Sequence, residues 1–132
     1  MNVLETEWWN IALPPEWWAE AEDDSILIGD RDGVGSIEIS TLHKREGDFD
    51  PASVQSLAEQ EAEQPVQWQP ATLGNFAGIT GSYLADDAAI REWYVANGAM
   101  LLFITYSCDV ENRAMDDAAV DEILDTLQPI TK

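Results

Sequence analysis

Few residues in this chain have the type and spacing that chemistry requires. His43 and Cys108 are each the only residue of their kind, so a Cys–His nucleophilic pair is the first constellation to weigh. His43 opens the polar run His43–Gly47 at the end of a loop, whereas Cys108 closes an apolar segment. Nothing in their spacing brings them together, and an inert buried thiol is the expectation. Asp30, Asp32 and Gly33 look like the opening of an acidic calcium loop. Such a loop needs an oxygen ligand at its fifth position and a bidentate Glu at its twelfth; counted from Asp30, those positions hold Val34 and Thr41. A hairpin turn is expected there, with no metal and no other cofactor. Gly74, Gly78 and Gly81 lack phosphate-loop spacing and a following Lys-Ser/Thr, so they read as packing glycines. Acid pairs such as Asp86–Asp87 read as turns. A carboxylate-dependent hydrolase, the third functional reading, would need two acids converging about 5–10 Å apart in a cleft.

The tryptophans carry more information. Trp8–Trp9 and Trp17–Trp18 are doublets, and neighbouring residues in an extended strand point to opposite faces. One ring of each pair is expected in the core and the other on the far side. An enclosed indole buries about 150–250 Å², so a ring left in water and ringed by charge marks an interaction surface. Trp8, Trp9, Trp17 and Trp18 are therefore the candidate partner-binding residues. The competing reading folds the N-terminal arm over the sheet and hides both members. Trp68 and Trp93 are candidates for lining the pocket of a small-ligand carrier, the alternative function.

Charge narrows the partners. Among 132 residues, 26 are acidic and 6 basic, a formal net charge of −20. That excludes phosphate-backbone binding and adsorption to anionic membranes. It fits a solvated surface adapted to high salt, or a basic protein partner captured by charge complementarity. A homodimer through an open sheet face is a further option. No apolar run approaches the roughly 18 residues of a membrane span. The start of the chain lacks the basic and apolar regions of a signal peptide, and the single cysteine cannot form an internal disulfide. A cytoplasmic location is expected.

Length and a 45 % hydrophobic content suit one globular domain over residues 1–132. Phe76–Leu84, Ala89–Ala96 and Ala99–Ser107 read as a three-stranded meander. Its last strand is apolar on both faces, so it belongs in mid-sheet with cover on each side. Asn97–Gly98 supplies a hairpin signal. Trp8–Leu13 reads as a strand ended by Pro14–Pro15, and Trp17–Ala19 as a brief extension. Ile26–Gly29 and Gly35–Leu42 form a hairpin in which Ile37, Ile39 and Thr41 share one face while Ser36, Glu38 and Ser40 share the other. Asp50 and Pro51 open a helix with Val54, Leu57, Ala58 and Ala62 on one stripe; Glu59, Glu61 and Glu63 lie off it, and Pro65 ends it. Val66–Pro70 reads as a connector. A closing helix, with Asn112 as cap, would place Met115, Ala119, Val120, Ile123, Leu124 and Leu127 on one side. The expected architecture is α+β: an antiparallel sheet, made of the N-terminal hairpin and the meander, with two helices packed on one face.

Trp9–Pro14 followed by Trp17, then Leu73–Gly78, Trp93–Val95, Leu101–Tyr106 and a terminal amphipathic helix, follow one another as in a known group. In this order the chain resembles the PsbP-like fold group, typified by an extrinsic subunit of photosystem II. That group includes a eukaryotic Ran-binding relative and small bacterial members that escort type VI secretion effectors. The resemblance spans nearly the whole chain as an architecture and brings no catalytic or ligand signature. It implies a non-enzymatic binding module, such as an immunity protein or effector chaperone, by fold analogy.

Overall fold

Period-two alternation and turn residues set most of the chain into strands. The structure, a computed structural model, describes residues 2–62 and 64–130; Glu63, read above as off the helical stripe, lies outside them. Strands β1 (Asn2–Glu5), β2 (Trp9–Leu13), β3 (Trp17–Ala21), β4 (Ser25–Asp30) and β5 (Gly35–His43) precede helix α1 (Pro51–Glu61). Then come β6 (Gln69–Leu73), β7 (Phe76–Ala85), β8 (Ala88–Asn97) and β9 (Met100–Asp109). A 3-10 turn at Val110–Asn112, helix α2 (Asp117–Leu124) and β10 (Gln128–Pro129) complete the described chain. Strands form an antiparallel seven-stranded sheet in the order β3-β4-β5-β9-β8-β7-β6 and a three-stranded sheet in the order β1-β2-β10.

This corrects the expected α+β architecture. Strands take 52 % and helices 17 % of the structure, so the protein is mostly β, with two sheets instead of one. Nor do the helices share a face. On the inner face Ile37, Ile39, Trp93, Val95, Leu102 and Ile104 pack against Trp9, Ile11 and Leu13 of β2 and against Val120, Ile123 and Leu124 of α2. On the outer face Tyr94 and Leu101 pack under Val54 and Ala58 of α1, with Phe103, Trp68 and Ile79 beside them. The reason is width. Seven strands at about 4.8 Å spacing span roughly 29 Å, about three times the diameter of a helix, so the inner face needs the small sheet as well as α2.

The central strand is placed as its pattern requires. β9 is fourth of the seven strands, and Leu101, Leu102 and Ile104 are fully buried on its two faces. Asn97 ends β8, paired with Met100, and the reversal itself is made by Gly98 (φ +61) and Ala99. At the β4–β5 turn, Asp30 Oδ1 accepts hydrogen bonds from the N–H groups of Gly33 (2.7 Å) and Val34 (3.2 Å). That is the turn chemistry expected of Asp30, and its carboxylate is occupied by the backbone. Asp50 caps α1: Ser53 N–H donates to its Oδ1 at 2.7 Å, which holds the Asp50 carboxyl below the usual carboxylate range.

Elsewhere the sequence reading is incomplete. The connector at Val66–Pro70 runs into β6, which tolerates Pro70 because it lies at the sheet rim. The closing helix begins later than expected. Asn112 sits in the 3-10 turn, Met115 is exposed, and Asp116 at the N-cap position accepts the Tyr106 hydroxyl (2.8 Å) instead of capping. Ala114, exposed just ahead of α2, is held at φ +71. That conformation costs a residue with a Cβ about 1–2 kcal/mol. Ala114→Gly is therefore expected to raise the unfolding free energy by about 1 kcal/mol; an unchanged or lower urea midpoint would contradict the strain.

Candidate functional site: the uncovered outer face of the large sheet

The registers of β3, β4, β5, β9 and β8 line up residues far apart in sequence. Glu20 pairs with Leu27, Leu27 with Glu38, Glu38 with Thr105 and Thr105 with Glu92. These residues form one row across five strands on the outer face, with a glutamate on every second strand. Successive carboxylates are thus about 10 Å apart. The adjoining row runs Trp18, Gly29, Ser36, Ser107, Ile90. Helix α1 is seated at the other end of this face, on Tyr94 and Leu101; of the row's carboxylates, those of Glu20 and Glu38 belong to exposed residues and that of Glu92 to a half-buried one.

Trp18 is the largest side chain on this surface and is 44 % exposed. Its ring lies on Gly29, where an added Cβ would come within 2.5 Å of the indole, and its Nε1 donates to the Asp30 carbonyl at 3.2 Å. The ring is thereby fixed flat against the sheet. Glu38 accepts from Ser25 Oγ at 3.1 Å and Glu92 from Tyr83 Oη at 3.0 Å, so two of the three carboxylates are held in place by neighbouring hydroxyls. Among the described residues no base balances them from within the sheets. Among the described residues Arg91 is the only Lys or Arg in a strand, and it reaches over the inner face. There it bonds Asp117 (3.3 Å) and Asp121 (2.7 Å) of α2 and lies 4.6 Å from the Trp93 ring centre. The aspartates are about half exposed, so this clasp orients α2 more than it stabilises it.

The Trp doublets divide between core and surface. Trp9 and Trp17 are buried in the inner core, whereas Trp18 and Trp8 are exposed. The two exposed rings do not meet. Trp18 lies in the row of Ser36, at the start of β5, on the outer face. Trp8 precedes β2 and its ring is 4.4 Å from His43, the last residue of β5. Seven residues of strand, about 23 Å, separate those ends. Trp68 and Trp93 are also apart: Trp68 packs edge-on to Tyr94 on the outer face, and Trp93 is in the inner core. Open grooves of about 490 Å³ and 480 Å³ reach Trp68 and Trp93 respectively, so the two rings line separate depressions.

His43 pairs with Met100 and Cys108 with Gly35, at opposite ends of the β5–β9 ladder. They are about 25 Å apart. Burial pushes the Cys108 thiol up, away from the reactive thiolate. Desolvation likewise raises the Tyr94 and Tyr106 hydroxyls, both buried within the sheet. Among the described residues no group of three His, Cys, Asp or Glu could hold a metal ion, and no helix is long and apolar enough to cross a membrane.

What sequence reasoning misses is the glutamate row. Its members are 18 and 54 positions apart in the chain, and only the strand register aligns them.

No family model and no curated protein matches the chain. Among solved structures it is similar to a chain from Bacteroides thetaiotaomicron VPI-5482, with a TM-score of 0.70 and 12 % identity over 95 % of this chain and 46 % of that one. It is also similar to LpqN of Mycobacterium tuberculosis, a protein involved in cell envelope biogenesis. That match has a TM-score of 0.61 and 19 % identity over 93 % of this chain and 83 % of LpqN. The likeness is one of fold. This chain spans about half the length of the Bacteroides protein, and at these identities neither similarity carries an activity across.

Proposed function

We propose that the chain is a non-enzymatic protein-binding module whose outer sheet face receives a basic partner. The observation that carries this reading is the row Glu20–Glu38–Glu92 beside the fixed, exposed ring of Trp18, on a face to which, among the described residues, the strands contribute no Lys or Arg. An aromatic anchor flanked by carboxylates suits the aliphatic stems and charged heads of Lys and Arg. A net charge of −20 speeds the encounter with a cationic protein. It also opposes a homodimer through this face, which would set glutamate against glutamate. An immunity protein or effector chaperone for a cationic toxin fits this surface. The resemblance to the PsbP-like group supports the same class of role, and the lone buried thiol suits a cytoplasmic location.

A second reading has one observation in its favour. A mostly apolar groove of about 590 Å³ between α1 and strands β6–β8, lined by Phe49, Val54, Pro70, Ile79 and Ala96, could seat a small apolar ligand. A protein partner recovered with the wild-type chain separates the two readings. The variant Glu20→Gln/Glu38→Gln/Glu92→Gln is expected to bind that partner at least tenfold more weakly, from three pairs at about 0.5–1 kcal/mol each. A control triple of equal charge, Glu59→Gln/Glu111→Gln/Glu122→Gln, is expected to retain it. Equal losses in a titration calorimeter would reduce the attraction to overall charge and remove the face from the account.

A further inference from the structure

The sheet has two rims, β3 and β6. β6 carries Pro70 at its second position, which lacks a donor. β3 carries no such block. Glu16 accepts from Arg31 N–H at 2.9 Å, and Glu22 N–H donates to the Ser25 carbonyl at 2.8 Å. In an antiparallel ladder the bonded residues alternate, so residues 16, 18, 20 and 22 turn their backbone groups toward β4. The N–H and C=O groups of Ala19 and Ala21 therefore point outward, away from the sheet. Among the described residues these two make no backbone hydrogen bond in turns, loops or caps, and both are exposed. Trp17 N–H is already taken by the Pro14 carbonyl at 3.0 Å.

A bare rim of this kind is a template for another strand. Its side chains state which strand. On the outer side it presents Trp18, Glu20 and Glu22; on the inner side, beyond the buried Trp17 ring, it presents the methyl groups of Ala19 and Ala21. Residues Asp23 and Asp24 follow at once. An added strand with Lys or Arg at alternate positions would form opposite-charge cross-strand pairs, and its other side chains would meet no bulk. A second copy of β3 would bring like charges together instead.

We infer that β3 is a docking rim that takes up an extended, alternately basic segment of another protein by strand addition. This rests on the basic-partner reading above and specifies how the partner is held. The probe is a seven-residue peptide alternating Lys and Val, compared with the same peptide N-methylated at the residues whose N–H would face β3. The unmodified peptide is expected to bind and to slow amide exchange at Ala19 and Ala21 at least tenfold. The N-methylated peptide, equal in charge, is expected to bind at least tenfold more weakly. Ala19→Pro removes one outward N–H without breaking a bond to β4 and is expected to weaken binding of the unmodified peptide to the same degree. Should that variant unfold, the methylated peptide on the wild-type chain decides alone. Absence of binding, or equal binding of both peptides, overturns the docking rim. If the natural partner is lost by the triple glutamine variant but kept by Ala19→Pro, the charged face stands and the rim falls; if both variants keep it, both fall.

Discussion

Replacing Trp9 by alanine is expected to lower the unfolding free energy by about 3–5 kcal/mol, the largest loss of any single tryptophan outside the seven-stranded sheet. Trp9 is 1 % exposed and belongs to the inner cluster that joins β2 to the large sheet and to α2. Its Nε1 donates to Thr41 Oγ1 at 2.9 Å, across the gap between the two sheets. Truncation would leave a cavity and deprive the Thr41 hydroxyl of its partner at once. Trp9→Phe separates the two contributions: it keeps most of the apolar contact and is expected to forfeit about 1 kcal/mol for the hydrogen bond, together with a smaller packing loss. Trp8→Ala, one residue away but 39 % exposed, is the contrasting case and should cost less than half as much. Urea titrations of the three variants check this ordering, and a Trp8→Ala variant as unstable as Trp9→Ala would contradict the division of the doublet.

Gly78→Ala is expected to cost about 3 kcal/mol, at the upper end of overpacking changes. Gly78 faces Val95 across the β7–β8 ladder. A Cβ there would run into the Tyr94 carbonyl oxygen and stand 2.8 Å from the Val95 Cα. Both obstacles are backbone atoms of the neighbouring strand, so relief requires moving the strand itself, and with it the buried Tyr94 and Val95. Gly47 provides the comparison. It has nothing within 4 Å of its added Cβ but sits at φ +73, so Gly47→Ala meets only the conformational cost of about 1–2 kcal/mol. Thermal melts that rank Gly47→Ala as the more damaging change would refute the steric account of Gly78.

How much of this could be read in advance depends on whether the governing interaction is local. The meander, the β4–β5 hairpin and the capped start of α1 are written in short patterns: the apolar run before Cys108, the turn at Asp30–Gly33, and Asp50–Pro51. The placement of the helices is not. An apolar stripe shows that a helix has a buried side; it carries no sign of which side of a sheet receives it, and here α1 and α2 take opposite ones. The small sheet is harder still, because β1 and β10 are very short and join β2 from the two ends of the chain. Pro70 disguises β6 as a connector. For the candidate site, alternation foretells that Trp9 and Trp18 should differ in burial from their neighbours, and that Glu38 lies on the wet side of its strand. It does not foretell that Glu38 stands in line with Glu20 and Glu92, because alignment across strands is a property of register.

The three-stranded sheet also bears on how the molecule is made. Its middle strand, β2, is translated well ahead of Val120, Ile123, Leu124 and Leu127, which help to enclose Trp9, Ile11 and Leu13, with β10 following. At about 5–20 residues per second, roughly 6–24 s of translation separate the two. Throughout that interval β2 can pack against the inner face of the large sheet, but the apolar surface that α2 closes stays open. Its dense negative charge is then an asset, since growing chains on one polysome repel each other before α2 arrives to seal the interior.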